Sequence, residues 1–580
     1  MKKSIILILL FIIFPLLMKV YSQSPDLEEN SEIYHILERM EIKSAMVPEY
    51  FSGIKNYKIQ DIISFSQILK DSLKNIQSRD FFDIDYILKD NIDWAKYFFD
   101  PVYYKKLKND LNISENGIFN MFYKANSSFY SLHTNNFFMK INPVINFNAG
   151  KDIKTGKYNY QNTRGIIISG LLDKKIYFYT SIYENQRSFL PHIERKIKRD
   201  FAIPGQGYYK KYESSVFKNT PGYDFLNAKA YFGFNLTKSL SAEMGHGKFF
   251  IGNGIRSLFL SDYSNNYYYL KFDTRVWKLL YRNIFAELTA KSREEINKDT
   301  LLPKKYMAAH YLNYRITRNF QIGLFENVIF TRGGHFEFQY LNPVILYRTV
   351  EQFTGSADNV IVGIDWKYNF LHRISFYGQF VLDEFNFKKL KENNNWWGNK
   401  YGLQLGVKYI DVAGIDHLDL QLESNIIRPY TYSHREKSDS YSNFNQALAH
   451  PFGANFKELI ILLNYKPENK IYIKAKALFA YKGEDKDGFS WGGNILESNE
   501  NRPLDDMGKI RDYGFFTGNG AKRNIIQYTF DISYMIIHNY NLFANFIYRK
   551  DISSIPESTI NELYSGAGIR VNVDNKFLDF

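Results

Sequence analysis

The feature that most constrains the fold is a two-residue alternation of apolar and polar side chains after about residue 130. Apolar residues occupy every second position of 471–479, and Tyr472, Lys474 and Lys476 lie between them. The same alternation recurs in the segments 360–368, 374–383 and 418–423. Successive side chains of a strand point to opposite faces of its sheet, so this period indicates strands and not helices. The pattern therefore predicts a β protein whose strands have one apolar and one polar face.

The first 22 residues have the pattern of a secretory signal. Lys2 and Lys3 precede an apolar run from Ile5 to Met18, and the small residue Ser22 ends the segment. We predict cleavage after Ser22. No later stretch approaches the ~18 uncharged apolar residues that a membrane-spanning helix needs. Export followed by strands with one apolar face is typical of an outer-membrane β-barrel, and we predict that location.

Alternation alone does not say which face is inside, because a soluble β-sandwich alternates as well. The number of such strands, the lack of cysteine and the mixture of charged residues with Tyr and Gln on one face favour a barrel with a polar lumen. The roughly 450 residues available would supply roughly 16–20 strands. Turn signals at 393–395, 466–469 and 485–488 interrupt the alternation. We predict surface loops in the long polar stretches, which are 185–225, 430–457 and 482–525.

The segment 25–115 has helical periodicity instead. Its apolar stripes are Ile33, Leu37 and Met40 after a cap at Ser31, then Ile59, Ile62, Ile63, Leu69 and Leu73, then Phe81, Ile84 and Leu88 entered from Ser78. Each stripe needs an apolar partner, which predicts a small helical bundle. The predicted organisation is a signal peptide at 1–22, a periplasmic helical domain at 23–125 and an outer-membrane barrel at 126–580.

Composition narrows the possible functions. The chain has no cysteine, which excludes disulfides, thiolate catalysis and cysteine-ligated metals. Its 17% aromatic content suits the interface girdles of a barrel, although an AT-rich genome would raise Phe and Tyr as well. The formal charge of +13 falls to +10 when Lys2, Lys3 and Lys19 leave with the signal. This charge suits lipopolysaccharide phosphates or acidic polysaccharide, whereas nothing in the pattern indicates nucleic acid.

Three stretches of the strand region combine glycine, charge and aromatic residues. They read GHGKFFIGNGIRSLFLSD at 245–262, LNPVILYRTVEQFTGSADNV at 341–360 with GQFVLDEF at 378–385, and ESNIIRPYTY at 423–432 with QALAHPFGANFKE at 446–458. No helix is evident after the glycines of the first stretch, so they predict close backbone approach or a bulge within a strand and not a phosphate-binding loop.

With the helical segment before them, these stretches resemble the Wzi family of capsule-assembly outer-membrane proteins, and most closely a branch that contains the gliding-motility protein RemB. The resemblance covers nearly the whole chain after the signal. It implies a barrel of about eighteen strands with a periplasmic helical bundle, in keeping with the size range of such barrels. In the capsule branch the family protein is a lectin that holds exported polysaccharide at the cell surface. In the RemB-like branch it is needed for normal surface motility.

The motifs yield candidate residues for polysaccharide binding or for a charged network in the lumen. These are His246, Arg256, Asp262, Tyr267, Tyr268, Arg348, Glu351, Asp383, Glu384, Glu423, Arg428, His450 and Asn455. Paired carboxylates such as Asp383 and Glu384 would suit a glycosidase. A structural network is favoured, because arginine binds carboxylates bidentately and Arg256, Arg348 and Arg428 are suitable partners. His246 and His450 are predicted to be hydrogen-bonded lumen residues without a metal. The tyrosines of 263–269 suit either sugar stacking or the interface girdle.

The sequence thus predicts a non-enzymatic outer-membrane barrel, without a cofactor, that attaches or helps assemble surface polysaccharide. Three alternatives stay open: a component of motility or secretion machinery that binds other proteins, a diffusion porin, and a hydrolase. The chain ends in Phe580, which resembles the terminal aromatic signal of barrel proteins but is out of register with Ile569 and Val571.

Overall fold

The computed structural model describes residues 24–29, 31–72, 77–113, 127–217, 220–296, 300–355, 358–392, 394–555, 558–574 and 578–580. The predicted signal peptide, its cleavage site, Leu73 and the predicted boundary at 125/126 lie outside these residues. The helices are α1 Ile33–Ser44, α2 Ile59–Ser72, α3 Ser78–Asp90, α4 Ile92–Phe98, α5 Pro101–Asp110, α6 Pro191–Asp200, α7 Arg293–Ile296, α8 Tyr347–Thr354 and α9 Phe387–Lys391.

The strands before residue 300 are β1 Tyr130–His133, β2 Phe137–Asp152, β3 Tyr158–Leu172, β4 Ile176–Arg187, β5 Lys210–Ser214, β6 Thr220–Asn235, β7 Leu240–Gly247, β8 Tyr267–Val276 and β9 Leu279–Thr289. Those after it are β10 Lys304–Arg315, β11 Phe320–Phe330, β12 Asn359–Phe370, β13 Ile374–Glu384, β14 Lys400–Tyr409, β15 Leu418–Ile427, β16 Ser442–Asn443, β17 Gln446–Ala447, β18 Phe456–Glu468, β19 Ile471–Glu484, β20 Ala521–Ile537, β21 Tyr540–Ser553 and β22 Ile560–Val571.

Eighteen of the described strands form one closed antiparallel barrel: β2–β4, β6–β15 and β18–β22. The barrel closes where β2 pairs with β22, from Ile145 opposite Val571 to Asp152 opposite Tyr564. β1 and β5 are short additions to β2 and β6, and β16 and β17 form a separate hairpin. The prediction of an outer-membrane β-barrel with N-terminal helices is confirmed.

The two ends of the barrel differ. One end has short turns, such as 173–175, 277–278 and 538–539, and the other has the long connections 331–358, 428–455 and 485–520. In outer-membrane barrels the short turns are periplasmic and the long loops extracellular, so we call these the periplasmic end and the mouth.

The outer face of the barrel is apolar and its lumen is polar. Leu324, Leu405 and Phe530 point outward and are 51%, 49% and 42% exposed. Lys474, at an alternate position of β19, reaches Glu32 inside the barrel at 2.7 Å. The alternation read from the sequence therefore has its apolar side toward lipid. Among the described residues, no helix has the length and apolarity required to cross a bilayer.

The N-terminal segment lies in the periplasmic end of the lumen and is tied to its wall by ion pairs. Arg39 of α1 contacts Asp411 and Asp419 at 2.6 Å each. Lys58 contacts Glu243 of β7 at 2.8 Å. The predicted stripes of α1–α3 form its core, with Leu37, Ile62 and Ile84 fully buried. The charged side chains of the N-terminal segment are thus paired with charges of the lumen wall, whereas in a free-standing helical bundle they would face water.

Two sequence predictions about the mouth are wrong. The stretch 430–457 is not a surface loop: most of it is buried, including Tyr432, Leu448 and His450 at 0% exposure. The terminal Phe580 does not end a strand, because β22 stops at Val571 and Phe580 lies inside the barrel, its ring centroid 4.9 Å from that of Tyr263. A polar lumen satisfies polar loop residues as well as water does, so polarity did not distinguish a loop folded inward from a surface loop.

Candidate functional site

The connection between β7 and β8, residues 248–266, folds into the lumen and is held there by side chains of the wall. Glu423 accepts backbone N–H groups from Ile255 at 2.6 Å and Arg256 at 3.0 Å. Gln379 accepts the N–H of Leu258 at 2.7 Å. A Cβ atom on Gly254 would lie 2.5 Å from the Glu423 carboxylate, so the predicted close backbone approach is observed. We call residues 248–266 the latched loop.

A buried charge network joins the latched loop to its neighbours. The Arg256 guanidinium lies 3.0 Å from Asp579 and 3.3 Å from Glu458. Burial alone would lower the pKa of Arg256, but these two carboxylates hold it above its usual value. His450 Nε2 lies 2.8 Å from Glu458, and its Nδ1 accepts the N–H of Phe452. Burial lowers the pKa of His450, so we assign it as a neutral imidazole that donates to Glu458.

Asn455 and Arg428 hold the largest loop of the mouth. Asn455 accepts the N–H of Gly518 at 2.7 Å and donates to the carbonyl of Asn519 at 2.8 Å. Arg428 donates to loop carbonyls, including that of Phe515 at 3.0 Å. The expectation that Arg428 pairs with a carboxylate is wrong, since its donors are used by backbone carbonyls.

Four predicted residues lie away from the lumen. Arg348 and Glu351 form an ion pair of 2.5 Å on α8, where the Arg348 side chain is 64% exposed. His246 and Tyr268 are paired across β7 and β8 on the outer face, with ring centroids 4.7 Å apart. The prediction of a lumen position is wrong for Arg348, Glu351 and His246. For His246 the register decides, because Glu243, an odd-numbered residue of the same strand, points inward.

The remaining candidates have separate surroundings. Asp383 accepts the N–H of Tyr432 at 2.7 Å, whereas the half-exposed Glu384 pairs with Lys400 at 3.1 Å. Tyr267 is buried in the lumen, and Asp262 lines a central cavity together with Arg256. Among the described residues, no group of three or more His, Asp and Glu side chains is placed to hold a metal ion.

A cavity of about 540 Å³ lies at the mouth, and α6 forms part of its lining. Ligand sites of small molecules typically measure ~300–1,000 Å³ and combine aromatic walls with a few polar groups. This cavity has that composition. Its aromatic lining residues are Tyr158, Phe189, Tyr212 and Tyr223, and its charged ones are Asp152, Lys157, Glu194, Lys198, Lys211 and Glu213.

A smaller cavity of about 70 Å³ lies on the inner side of α6 and is lined by cations. They are Arg195, Lys196, Arg199, Lys482, Arg523 and Arg549. Three carboxylates of the described residues make ion pairs with these six cations: Asp200, Glu484 and Asp551. His192, which also lines the cavity, contacts Glu562 at 2.6 Å. Six cations of the lining therefore share three carboxylates as ion-pair partners, and we call it the cationic cavity.

Two of these cations have weak partners. Lys482 donates to the carbonyl of Phe452 at 2.6 Å, and Lys196 donates to that of Pro451 at 2.9 Å while Asp200 lies 3.7 Å away. Burial lowers the pKa of Lys196 well below its usual value, and the Arg199 charge acts in the same direction. Uncompensated buried charge destabilises a fold, so an oxyanion in this cavity would remove a cost that the protein otherwise carries.

Sequence reasoning missed this site because 185–225 was interpreted as a surface loop. The missed signal is the run PHIERKIKRD at 191–200. Its apolar Ile193 and Ile197 have helical spacing, and proline at the first helical position favours a helix start. α6 buries both isoleucines and directs Arg195 and Arg199 to the cationic cavity, while Glu194 and Lys198 face the aromatic one.

Comparison with known proteins gives fold similarity without sequence similarity. The sequence matches no family model and no curated protein. Among solved structures it is similar to Escherichia coli Wzi, described as an outer-membrane protein involved in group 1 capsule assembly and a carbohydrate-binding β-barrel. The TM-score is 0.55 at 12% identity, covering 96% of this chain and 100% of that one. Pseudomonas aeruginosa OprD matches with a TM-score of 0.41 at 8% identity, over 75% of this chain and 96% of its own.

At this identity, the match to Wzi shows the fold alone. The structures named here give no support to the RemB-like branch, which stays a prediction.

Proposed function

We propose that this protein binds surface polysaccharide at the mouth of its barrel and thereby attaches it to the outer membrane. The observation that carries the proposal is the pair of cavities on either side of α6. The outer cavity provides aromatic faces such as Tyr212 and Tyr223, against which sugar rings stack. The cationic cavity provides six cationic side chains that share three carboxylates. Together they fit a glycan that carries carboxylate, phosphate or sulfate groups.

Some arginines of the cationic cavity have fixed positions before a ligand binds, and some reach solvent. Arg195 and Arg523 are held by Asp551 at 2.5 and 2.8 Å, so their guanidinium groups have fixed positions before a ligand arrives. A preorganised donor loses little conformational entropy on binding. The side chains of Arg195 and Arg199 are 30% and 44% exposed, so they connect the cationic cavity with solvent at the mouth.

The diffusion-porin alternative is disfavoured by what occupies the lumen. α1 and the chain around Lys58 are anchored in the periplasmic end, while the latched loop and 428–455 occupy the middle and the mouth. A conducting barrel needs a continuous aqueous path. Ion pairs of buried groups hold these segments in place, so we propose that the barrel does not conduct at rest.

The hydrolase alternative is disfavoured by the surroundings of its two carboxylates. Asp383 is engaged by the backbone of Tyr432 and Glu384 by the Lys400 ammonium. Glycoside hydrolysis requires two carboxyl groups that flank one bond. We propose a non-enzymatic role. No contact among the described residues favours a role in motility or secretion machinery.

The direct test is a binding titration of purified protein in detergent by calorimetry. The probes are polygalacturonate as an acidic glycan, dextran as a neutral one and inorganic phosphate. We expect binding of polygalacturonate, much weaker binding of dextran, and a loss of acidic-glycan binding in Lys482→Met. The control is Lys509→Met, since Lys509 is an exposed lysine of another mouth loop.

Equal heats for polygalacturonate and dextran would contradict the role of the cationic cavity. Binding of phosphate alone, without either glycan, would contradict polysaccharide attachment and leave a site for a free anion. Tyr212→Ala separates the two cavities, since it should weaken binding of both glycans and leave phosphate binding unchanged.

A further inference from the structure

Three polar side chains form a row on the outer wall of the barrel, where lipid would be expected. His310 of β10 is directly opposite Asn283 of β9 and Glu326 of β11. Lys305 and Tyr311, odd-numbered residues of β10, contact Ser440 and Asp365 inside the barrel, so the even-numbered His310 faces outward. We call Asn283, His310 and Glu326 the polar row.

The polar row is covered. Its members are 3%, 7% and 8% exposed, although they belong to the outer wall. The cover is the part of the β11–β12 connection at residues 331–355. The Tyr347 hydroxyl of α8 lies 2.6 Å from His310 Nε2, and the N–H of Arg348 lies 3.4 Å from Glu326. We call residues 331–355 the cover loop.

The cover loop is packed against the wall as a small apolar core outside the barrel. Phe336 contacts the rings of Tyr306 and Phe330, with centroids 5.6 and 5.1 Å apart. Tyr340 and Tyr347 are fully buried in the same cluster. The loop therefore lies down the outside of β9–β12 and does not project from the mouth.

The side of the cover loop that faces away from the wall is apolar. Phe338, Val344 and Phe353 are 82%, 82% and 81% exposed, and Leu346 is 66% exposed. Below the loop on β11, Leu324 is 51% exposed, so the apolar surface continues onto the lipid-facing wall. Exposed apolar clusters of this kind mark a surface that meets another apolar phase.

We infer that the cover loop lies in the outer leaflet of the membrane and replaces the polar row with an apolar surface toward the acyl chains. This inference is independent of the proposed glycan site. If this part of the wall faced water, Asn283, His310 and Glu326 would need no cover and four large apolar side chains would be exposed at a cost. If this part of the wall faces hydrocarbon, the polar row has to be covered, because unsatisfied polar groups are expensive there. Exposed apolar side chains then carry no such cost. Contact with acyl chains therefore explains both the covered polar row on the inner side of the loop and the exposed apolar side chains on its outer side.

The exposed Arg348 of α8 agrees with a position of the cover loop near the membrane surface. Arg348 is 64% exposed at its side chain, and a long cationic side chain near the membrane surface can extend to the headgroup phosphates. α8 itself has eight residues and cannot cross a bilayer.

The chain has no cysteine, so a single labelled position can be introduced cleanly. The test uses bimane on Phe353→Cys in vesicles of phosphatidylcholine brominated on its acyl chains, with aqueous iodide as the second quencher. The lipid-facing reference is Leu403→Cys on β14, and the matched loop control is Met507→Cys, an exposed apolar residue of 485–520. We expect the label at 353 to be quenched by the brominated lipid as the label at 403 is, and the label at 507 by iodide.

Quenching of the label at 353 by iodide alone would overturn the inference, since the loop would then face water. Protection from both quenchers would also overturn it, and would indicate that protein covers the loop. A second experiment replaces 338–353 with a Gly-Ser linker. We expect the unfolding temperature to fall, and to be restored when Asn283→Val, His310→Val and Glu326→Val are added to the same protein. Failure of the triple substitution to restore stability would show that the loop does not serve to cover the polar row.

Discussion

Lys196 is a buried cation whose surroundings compensate its charge only weakly. Its buried ammonium has a carbonyl at 2.9 Å and a carboxylate at 3.7 Å, and burial lowers its pKa well below the usual value. A lysine whose pKa is lower in the folded state binds fewer protons there than in the unfolded chain. The stability that it costs is recovered as pH rises through the folded pKa toward the ordinary value of about 10.4.

We predict that Lys196→Met raises the unfolding temperature at pH 7 and reduces its rise between neutral and alkaline pH. The substitution should also weaken binding of polygalacturonate. The control is Lys509→Met, because Lys509 is exposed and lines neither of the two cavities. Thermal unfolding in detergent across pH, followed by circular dichroism, measures the effect. A lower unfolding temperature for Lys196→Met than for the control would show that Lys196 stabilises the fold.

Glu423 is predicted to be the most sensitive of the carboxylates singled out in the sequence. Its removal leaves two buried N–H groups of the latched loop and the Tyr377 hydroxyl without an acceptor. We expect Glu423→Ala to lower the free energy of unfolding by about 3–5 kcal/mol, the range for breaking a buried charged network. Glu500→Ala, which removes an exposed ion pair with Arg435, should cost about 0–1 kcal/mol. Chemical unfolding in detergent measures both free energies. Equal losses in the two variants would contradict the role of Glu423 in holding the latched loop.

At the residue scale, the sequence predicted the type of interaction network but not which residues contact each other. A lumen network containing Arg256, Glu423 and His450 follows from charge recurring on the polar face of strands. That Glu423 would bind backbone groups of a loop, and that Glu458 and Asp579 would be the partners of Arg256, did not follow. These contacts join positions far apart in the chain, and one sequence contains no information about such pairing.

At the scale of elements, the strands were predictable and the inward-folded segments were not. Alternation identifies β12, β13, β15 and β19 because each has one lipid face and one lumen face. α6 and 428–455 have polar compositions that suit water and a charged lumen equally. His246 illustrates the same limit, since only the register of β7 places it on the outer face.

Three segments close the lumen: 24–113 at the periplasmic end, and the latched loop and 428–455 in the middle and the mouth. We predict that the intact protein gives no steady conductance in planar bilayers. Removal of 24–113 alone, or of 249–261 alone, should leave the conductance small, because the other two segments still block the path. Removal of 24–113, 249–261 and 430–453 together should open a channel. Excision of the exposed turn 505–509 is the control and should have no effect. Steady conductance of the intact protein would contradict the closed lumen.

For the whole molecule, we propose that the charged interior of the barrel is a scaffold and that its mouth is used for recognition. The eighteen described strands of the barrel pair with one another around the full circle, so the barrel wall itself has no open sheet edge. The lumen is filled by the N-terminal segment, the latched loop and residues 428–455. Accessible surfaces include the α6 region at the mouth and, on the outer wall, the cover loop.

The most direct measurement of the central claim is the ratio of cell-attached to released polysaccharide in the organism that makes this protein. Three strains are compared: a deletion strain, the same strain with the intact gene restored, and one restored with Lys482→Met and Arg549→Met at equal abundance in the outer membrane. We predict that the intact protein retains polysaccharide on the cell, and that the other two strains release it into the medium. Equal retention in all three strains, with loss of surface spreading on deletion, would contradict polysaccharide attachment and favour a role in motility.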